Sequence, residues 1–233
     1  MKYTEEGYDS LIRRSYGFSE KEQGSVAWNK VKLLYQKNYV FCNDTQENIP
    51  RKIHQIWLGG RVPDKYIKFM DSWQRLNPTY EYRLWTDKDV NSIELTKRDI
   101  FNSAKNNGMK SDLLRYEILR QQGGIYVDTD FECLKPLDDL LYLKFLTGIS
   151  YDAEMVLYIG IIGSVPNHPI MDLCVKLVNQ HYSGNDAMTI MDLTGPYYFT
   201  RCFLRGTIDD TDKVVAFPVS FFYPLPNNLR GIA

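Results

Sequence analysis

The sequence predicts an α/β protein: a sheet flanked by helices, with a helical extension at its N-terminus. Three observations predict it. A strand, a helix and a second strand follow one another between residues 53 and 85, the opening of an α/β sheet. A helix, a double glycine and a third strand follow between residues 111 and 134. Short apolar runs then alternate with helical and turn signals along the rest of the chain.

Residues 1–48 are polar and helical in pattern. Val26, Trp28, Val31, Leu34, Tyr35 and Tyr39 recur at three- and four-residue spacing, which predicts a helix with one buried face. That helix either packs on the main domain or lies on a membrane surface, because Lys30, Lys32 and Lys37 flank the face. Residues 49–233 read as one domain, without repeats, low-complexity tracts or a linker. Residues 53–58 are the first strand, closed by Gly59-Gly60. Pro63 opens a helix on which Tyr66, Phe69, Met70, Trp73 and Leu76 share a face, and Asn77-Pro78 stops it. Residues 80–85 are the second strand. Ser111 is the expected N-cap of the next helix, with Asp112 at its positive end. Gly123-Gly124 ends that helix and Ile125-Tyr126-Val127-Asp128 is the strand behind it. Apolar runs follow at 140–149 and 155–162, then a helix over 170–181 opened by Asn167-His168-Pro169. Thr194-Gly195-Pro196 marks a turn, 214–219 is a late strand, and Phe221-Phe222-Tyr223 leads into Pro-Leu-Pro.

Composition narrows the function. At 233 residues, 44% apolar and 24% charged, the chain has the make-up of a soluble globular protein, not of a disordered tail, a fibre or a coiled coil. Lys and Arg number 28 against 29 for Asp and Glu, so no basic field exists to hold nucleic acid. The aromatic content, with 17 Tyr and 4 Trp, leaves rings available for stacking on flat ligand groups. The four cysteines, at 42, 133, 174 and 202, form no C-x-x-C pair and read as buried thiols in a reducing compartment. The start, Met1 to Glu6, lacks a basic segment followed by an apolar run, so no signal peptide is expected. These readings place the protein in the cytoplasm, at most peripheral to the inner face of a membrane.

The residues with most chemistry are Asp128-Thr129-Asp130, with Glu132 behind them. Alternation along a strand turns Tyr126, Asp128 and Asp130 to one side. Two carboxylates and a phenol then share the carboxyl edge of a sheet, where α/β proteins bind ligands. Like charges so close repel unless a cation sits with them, and Mg²⁺ or Mn²⁺ takes one or two carboxylates and completes its shell with phosphate and water. The alternative is a solvated acidic turn. Arg115 and Asp112 lie one turn apart on the preceding helix. If the Gly-Gly turn folds the helix along the strand, Arg115 reaches a phosphate or Asp128; otherwise the two form a structural pair. Trp57, beside Gly59-Gly60, either stacks on a nucleobase or is core. His54, on the other face of that strand, reads as a hydrogen-bonded core residue, His168 as a cap and His181 as a surface residue at a helix end.

The segment Ile49-Pro50-Arg51-Lys52-Ile53-His54-Gln55-Ile56-Trp57-Leu58-Gly59-Gly60 resembles the opening strand of the DXD-containing sugar transferases of glycosyltransferase family 32, related to fungal α-mannosyltransferases and bacterial capsular-polysaccharide transferases. Lys110-Ser111-Asp112-Leu113-Leu114-Arg115-Tyr116 with Gly123-Gly124-Ile125-Tyr126-Val127-Asp128-Thr129-Asp130 resembles the family's central motif, and Asn167-His168-Pro169 and Thr194-Gly195-Pro196 match two weaker signatures. The resemblance implies a GT-A fold with a Rossmann-like mixed sheet, a nucleotide-sugar donor with a UDP-sugar ahead of GDP-mannose, and Mn²⁺ or Mg²⁺. By the same resemblance Trp57 stacks on the base, Asp112 and Arg115 hold sugar and diphosphate, Tyr126 and Asp128 touch ribose or sugar, and Asp130 ligates the metal with Asp128. It further implies retention of the anomeric configuration and a glycan or lipid-linked acceptor.

The chain departs from the family pattern twice. Family members continue past the segment matching Phe222-Tyr223-Pro224 into a stretch that closes over the donor, whereas this chain ends at Ala233. The expectation is a truncated domain, or a lid supplied from elsewhere. Tyr158-Ile159-Gly160-Ile161 also lacks the Asn often found just before that glycine in the family. Two other function classes remain in view: a non-catalytic sugar-nucleotide or glycan binder, and a phosphohydrolase of the aspartyl-phosphate type. Glu132, where the latter wants Thr or Val, argues against the second.

Overall fold

A computed structural model of the chain describes Tyr8 and residues 24–152, 154–178, 187–207 and 213–223. His181, Pro224 and Ala233 lie outside the described residues. Among the described residues six strands form one mixed sheet: β1 (Lys52–Ile56), β2 (Glu81–Trp85), β3 (Gly124–Val127), β4 (Phe145–Asp152), β5 (Glu154–Ser164) and β6 (Val214–Phe217). Their spatial order is β2-β1-β3-β5-β4-β6. β1 pairs in parallel with β2 and β3, β5 runs antiparallel to β3 and β4, and β6 lies parallel to β4. The carboxyl ends of β1 and β3 therefore lie side by side, with His54 opposite Tyr126 in the register.

Among the described residues lie the helices α1 (Val26–Tyr35), α2 (Asp64–Leu76), α3 (Arg98–Ser103), α4 (Asn107–Gln122), α5 (Pro169–Lys176), α6 (Ala187–Leu193), α7 (Pro196–Gly206) and α8 (Val219–Phe222). α1 is capped by the Ser25 hydroxyl, which accepts from the Trp28 N–H, and buries Trp28, Val31, Leu34 and Tyr35. Each of those side chains contributes about 1.5–3 kcal/mol of burial. Val26, expected on the same face, is 87% exposed, because it falls in the first turn, before the buried stripe begins. A π-helical turn (Gln36–Val40) follows. Its Asn38 donates from Nδ2 to the Val214 carbonyl at 2.9 Å, and Tyr39 packs edge-on against Phe217. The described part of 1–48 thus shares the core of the sheet on its β6 side.

α2 and β2 match the sequence reading to within a residue. α4 does not start where expected. Its N-cap is Asn106, whose Oδ1 accepts from the Gly108 and Met109 N–H groups. Ser111 and Asp112 are therefore inside the helix, about one turn from its positive end. Asn106 offers the same short acceptor as Ser111 and lies nearer the preceding loop. The described part of the helix predicted over 170–181 stops at Lys176. Thr194-Gly195-Pro196, read as a turn, is the corner between α6 and α7, with Pro196 at the start of α7, a position proline favours. Cys133, Cys174 and Cys202 are buried as expected, whereas Cys42 is half-buried. No described helix is long and apolar enough to cross a membrane.

Candidate functional site

The site is built by a chain reversal. Gly123 and Gly124 take φ of +62° and +97°, the region that favours glycine. A Cβ on Gly124 would lie 2.8 Å from the Lys52 carbonyl oxygen. This turn lays α4 back along β3 and brings Arg115 beside Asp128, as the sequence suggested. His54 locks the turn: its Nε2 donates to the Gly123 carbonyl at 2.9 Å, and its Nδ1 accepts from the Trp85 indole at 3.2 Å. Burial pushes the imidazole down to about 4, so it stays neutral and structural.

β3 ends at Val127, and Asp128 is the first residue beyond it. Its N–H donates to the Gly160 carbonyl at 2.8 Å, prolonging the β5 pairing. Its carbonyl accepts from Gln55 Nε2 at 3.2 Å, and the Tyr82 hydroxyl donates to Gln55 Oε1 at 2.6 Å. Oδ1 of Asp128 accepts from the Tyr126 hydroxyl at 2.7 Å and from Arg115 Nη1 at 3.3 Å. Oδ2 faces Gly160, where an added Cβ would stand 3.0 Å away. Alternation thus holds for Tyr126 and Asp128. It does not reach Asp130, which lies with Thr129 in the turn after the strand and is exposed. The turn is fixed from behind. Trp73 Nε1 donates to the Phe131 carbonyl at 2.7 Å, and the Cys133 N–H donates to Ser72 Oγ at 2.8 Å.

Arg115 is buried, with 6% of its side chain exposed. Nη1 reaches the Ile159 carbonyl at 2.6 Å as well as Asp128, Nη2 reaches Asp112 Oδ1 at 3.1 Å, and Nε reaches the Ser111 carbonyl at 3.3 Å. The guanidinium also lies over the Tyr126 ring, 4.4 Å from its centroid. Burial works against its charge, but the surrounding groups raise its pKa above the ordinary arginine value. The geometry makes Arg115 the group that orients Asp128. Asp112 is buried too and accepts from the Thr194 hydroxyl at 2.9 Å. Burial pushes its carboxyl up to about 7, against the pull of Arg115.

Trp57 follows β1 and is half-buried. Its ring centroid lies 5.5 Å from that of Tyr66. The loop behind it is held twice: the Gly59 N–H donates to Asp87 Oδ2 at 2.9 Å, and Asn107 Nδ2 donates to the Leu58 carbonyl at 3.2 Å. Trp57 and Asp128 thus stand at the ends of adjacent strands. Asp87, Asn107, Gln55 and Tyr82 escaped the sequence reading, because only their contacts give them meaning. Tyr223 is a further addition. Its hydroxyl accepts from the Ile161 N–H at 3.1 Å, and its ring meets the edges of Phe131 and Tyr158. His168 is the N-cap of α5, its Nδ1 accepting from the Ile170 N–H.

The donor set suits a hard divalent cation. Asp128 keeps part of its carboxylate open, with 32% of the side chain exposed, and Asp130 and Glu132 are exposed beside it. Among the described residues no group of three or more His, Cys, Asp or Glu side chains forms a ready cage. Two carboxylates with phosphate and water completing the shell is the Mg²⁺ and Mn²⁺ pattern, not that of a closed protein site.

Residues 63–145 match a family model described as a glycosyltransferase sugar-binding region containing a DXD motif. The chain is 33% identical over 160 residues to an uncharacterized glycosyltransferase of Acanthamoeba polyphaga mimivirus, covering 65% of this chain and 63% of that one. It is 34% identical over 176 residues to a mannosyl phosphorylinositol ceramide synthase of Saccharomyces cerevisiae, covering 70% of this chain and 44% of the relative. The chain thus spans about half the length of these curated relatives. Its fold is similar to that of the PaToxG glycosyltransferase, with a TM-score of 0.61 at 20% identity over 78% of each chain. That likeness establishes the GT-A class of the α/β fold. Residues 63–145, which include Asp128-Thr129-Asp130, are thus similar to a DXD-containing glycosyltransferase region.

Proposed function

We propose that this chain is a metal-dependent glycosyltransferase that moves a hexose from a nucleotide-sugar to a hydroxyl acceptor, with retention at the anomeric carbon. The observation that carries the reading is the conjunction at two adjacent strand ends: a half-exposed Trp57 beside an Asp128 whose Oδ1 is fixed by Tyr126 and Arg115. Trp57 stacks on the base of the donor. Asp128 and Asp130 hold Mn²⁺ or Mg²⁺, which when bound neutralises charge on the departing diphosphate. Tyr126 and Arg115 keep Asp128 in one orientation, so that no reorganisation is needed as that charge develops. Asp112 and Arg115 form the wall nearest the transferred sugar.

The sequence reading favours a UDP-hexose. One relative is named as a mannosyl phosphorylinositol ceramide synthase, which supports trying GDP-mannose as well, and a lipid-linked hydroxyl at the inner face of a membrane alongside glycans. Calorimetric titration of UDP and GDP with and without Mn²⁺ tests the site. Binding of one nucleotide that needs Mn²⁺ and is lost in Asp130→Ala, with circular dichroism unchanged, is expected. Equal, metal-independent binding by wild type and Asp130→Ala contradicts the assignment.

A further inference from the structure

The corner between α6 and α7 is far from Asp128 in sequence but joined to it by a buried file of side chains. Thr194 is fully buried. Its hydroxyl donates to Asp112 Oδ2 at 2.9 Å. Asp112 Oδ1 meets Arg115 Nη2 at 3.1 Å, and Arg115 Nη1 meets Asp128 Oδ1 at 3.3 Å. Each oxygen of the Asp112 carboxylate thus has one side-chain partner, and the two partners lie on either side of it in the file. In so dry a setting each bond is strong and directional. The Thr194 hydroxyl therefore fixes the plane that the carboxylate offers to the guanidinium.

The backbone of this corner is held separately. The Thr194 N–H donates to the Ile190 carbonyl at 3.1 Å, and its carbonyl accepts from the Tyr116 hydroxyl at 2.6 Å. Neither of these bonds uses the Thr194 hydroxyl. We infer that Thr194 is a positioning residue for the donor site, acting on Asp128 through Asp112 and Arg115. It touches neither donor nor metal. This inference rests on the glycosyltransferase reading for its effect on rate, and on geometry alone for its effect on Arg115.

The test uses Thr194→Val, which keeps the shape and removes the hydroxyl, and Thr194→Ser, which restores it. Two readouts separate the two levels. The first is the side-chain Nε–Hε resonance of Arg115 in a nitrogen-15 spectrum, assigned by its loss in Arg115→Lys. It should move in Thr194→Val and return to the wild-type position in Thr194→Ser. The second is Mn²⁺-dependent release of nucleoside diphosphate from the donor that the wild type accepts. In Thr194→Val kcat should fall about tenfold or more with KM within about twofold, since misplacing a catalytic group by less than an ångström costs rate. Thr194→Ser should recover to within about twofold of the wild type. An unmoved Arg115 resonance in Thr194→Val, or a Thr194→Ser variant as impaired as Thr194→Val, overturns the inference. A resonance that moves in Thr194→Val, when the wild type itself releases no nucleoside diphosphate from any donor, overturns the functional reading and leaves the positioning of Arg115 intact.

Discussion

Helix α4 carries two acid–arginine pairs of identical spacing, Asp112–Arg115 and Glu117–Arg120, and the two have different work. Both acids are buried, and both pairs close within 3.1 Å. Arg115 faces β3 and spends its donors on Asp128, on the Ile159 carbonyl and on Asp112. Glu117 instead accepts from the Thr96 N–H, from Arg120 and from Gln121, which also donates to the Glu94 carbonyl. The second pair stitches α4 to the 94–96 segment. The first stands behind the proposed donor site. An acid three residues before an arginine therefore has no functional meaning by itself. The Gly123-Gly124 reversal, which sets α4 alongside β3, decides which pair meets the acidic motif.

Substitutions can break that contrast. The largest effect expected is on Arg115. Arg115→Lys keeps one charge and loses the fork, so it cannot serve Asp112, Asp128 and the Ile159 carbonyl together. Donor hydrolysis should drop by about 100-fold, read as nucleoside-diphosphate release at saturating Mn²⁺. Retention of more than half the wild-type rate would show that the fork is structural only. Glu117→Gln should do the opposite. It leaves the Thr96 N–H and Arg120 with a weaker acceptor, and stability should fall by about 1–3 kcal/mol in urea melts. The rate per folded molecule should stay within about twofold. A rate loss matching that of Arg115→Lys would erase the distinction between the pairs.

The first of these pairs also responds to pH through Asp112. The Asp112 carboxyl is raised by burial to about 7 from the ordinary carboxylate value. The folded chain then binds more protons than the unfolded one between about pH 4 and 7. Its contribution to stability is full below that window and is lost as pH rises through it. Asp112→Asn should therefore flatten the fall in melting temperature between pH 4 and pH 7, while leaving the acid limb below pH 4 in place. Parallel curves for the two proteins would mean that Asp112 stays ionised throughout. The smallest effect expected is that of Gly160→Ala. Its Cβ would stand 3.0 Å from Asp128 Oδ2 and 3.1 Å from Phe131 Cζ, so Asp128 or the Phe131 ring must give by a few tenths of an ångström. A rise of about threefold to tenfold in the Mn²⁺ concentration for half-maximal rate is expected, and no change would place the metal away from Oδ2.

Much of this was legible in the sequence. β1, α2 and β2 followed from alternation, a shared apolar face and Asn77-Pro78, which are local signals. The double glycine announced the reversal that brings Arg115 to Asp128. The start of α4 was misplaced by about one turn, because Asn106 and Ser111 offer the same capping chemistry and only the preceding loop chooses between them. α7 was hidden behind Thr194-Gly195-Pro196, whose turn residues also begin a helix. Gln55, Asn107, Asp87, Thr194 and Tyr223 were invisible as site residues. Each acts through a partner at least 27 positions away, as with Gln55 and Tyr82, and no spacing rule reaches that far.

The most direct measurement is release of nucleoside diphosphate from a panel of UDP- and GDP-sugars by the wild type, Asp130→Ala and Glu117→Gln, each with Mn²⁺ and with a chelator. Release from one donor by the wild type and Glu117→Gln, abolished by chelator and absent in Asp130→Ala, is the predicted result. Release that survives both the chelator and the loss of Asp130 would contradict a metal-assisted donor site at the end of β3.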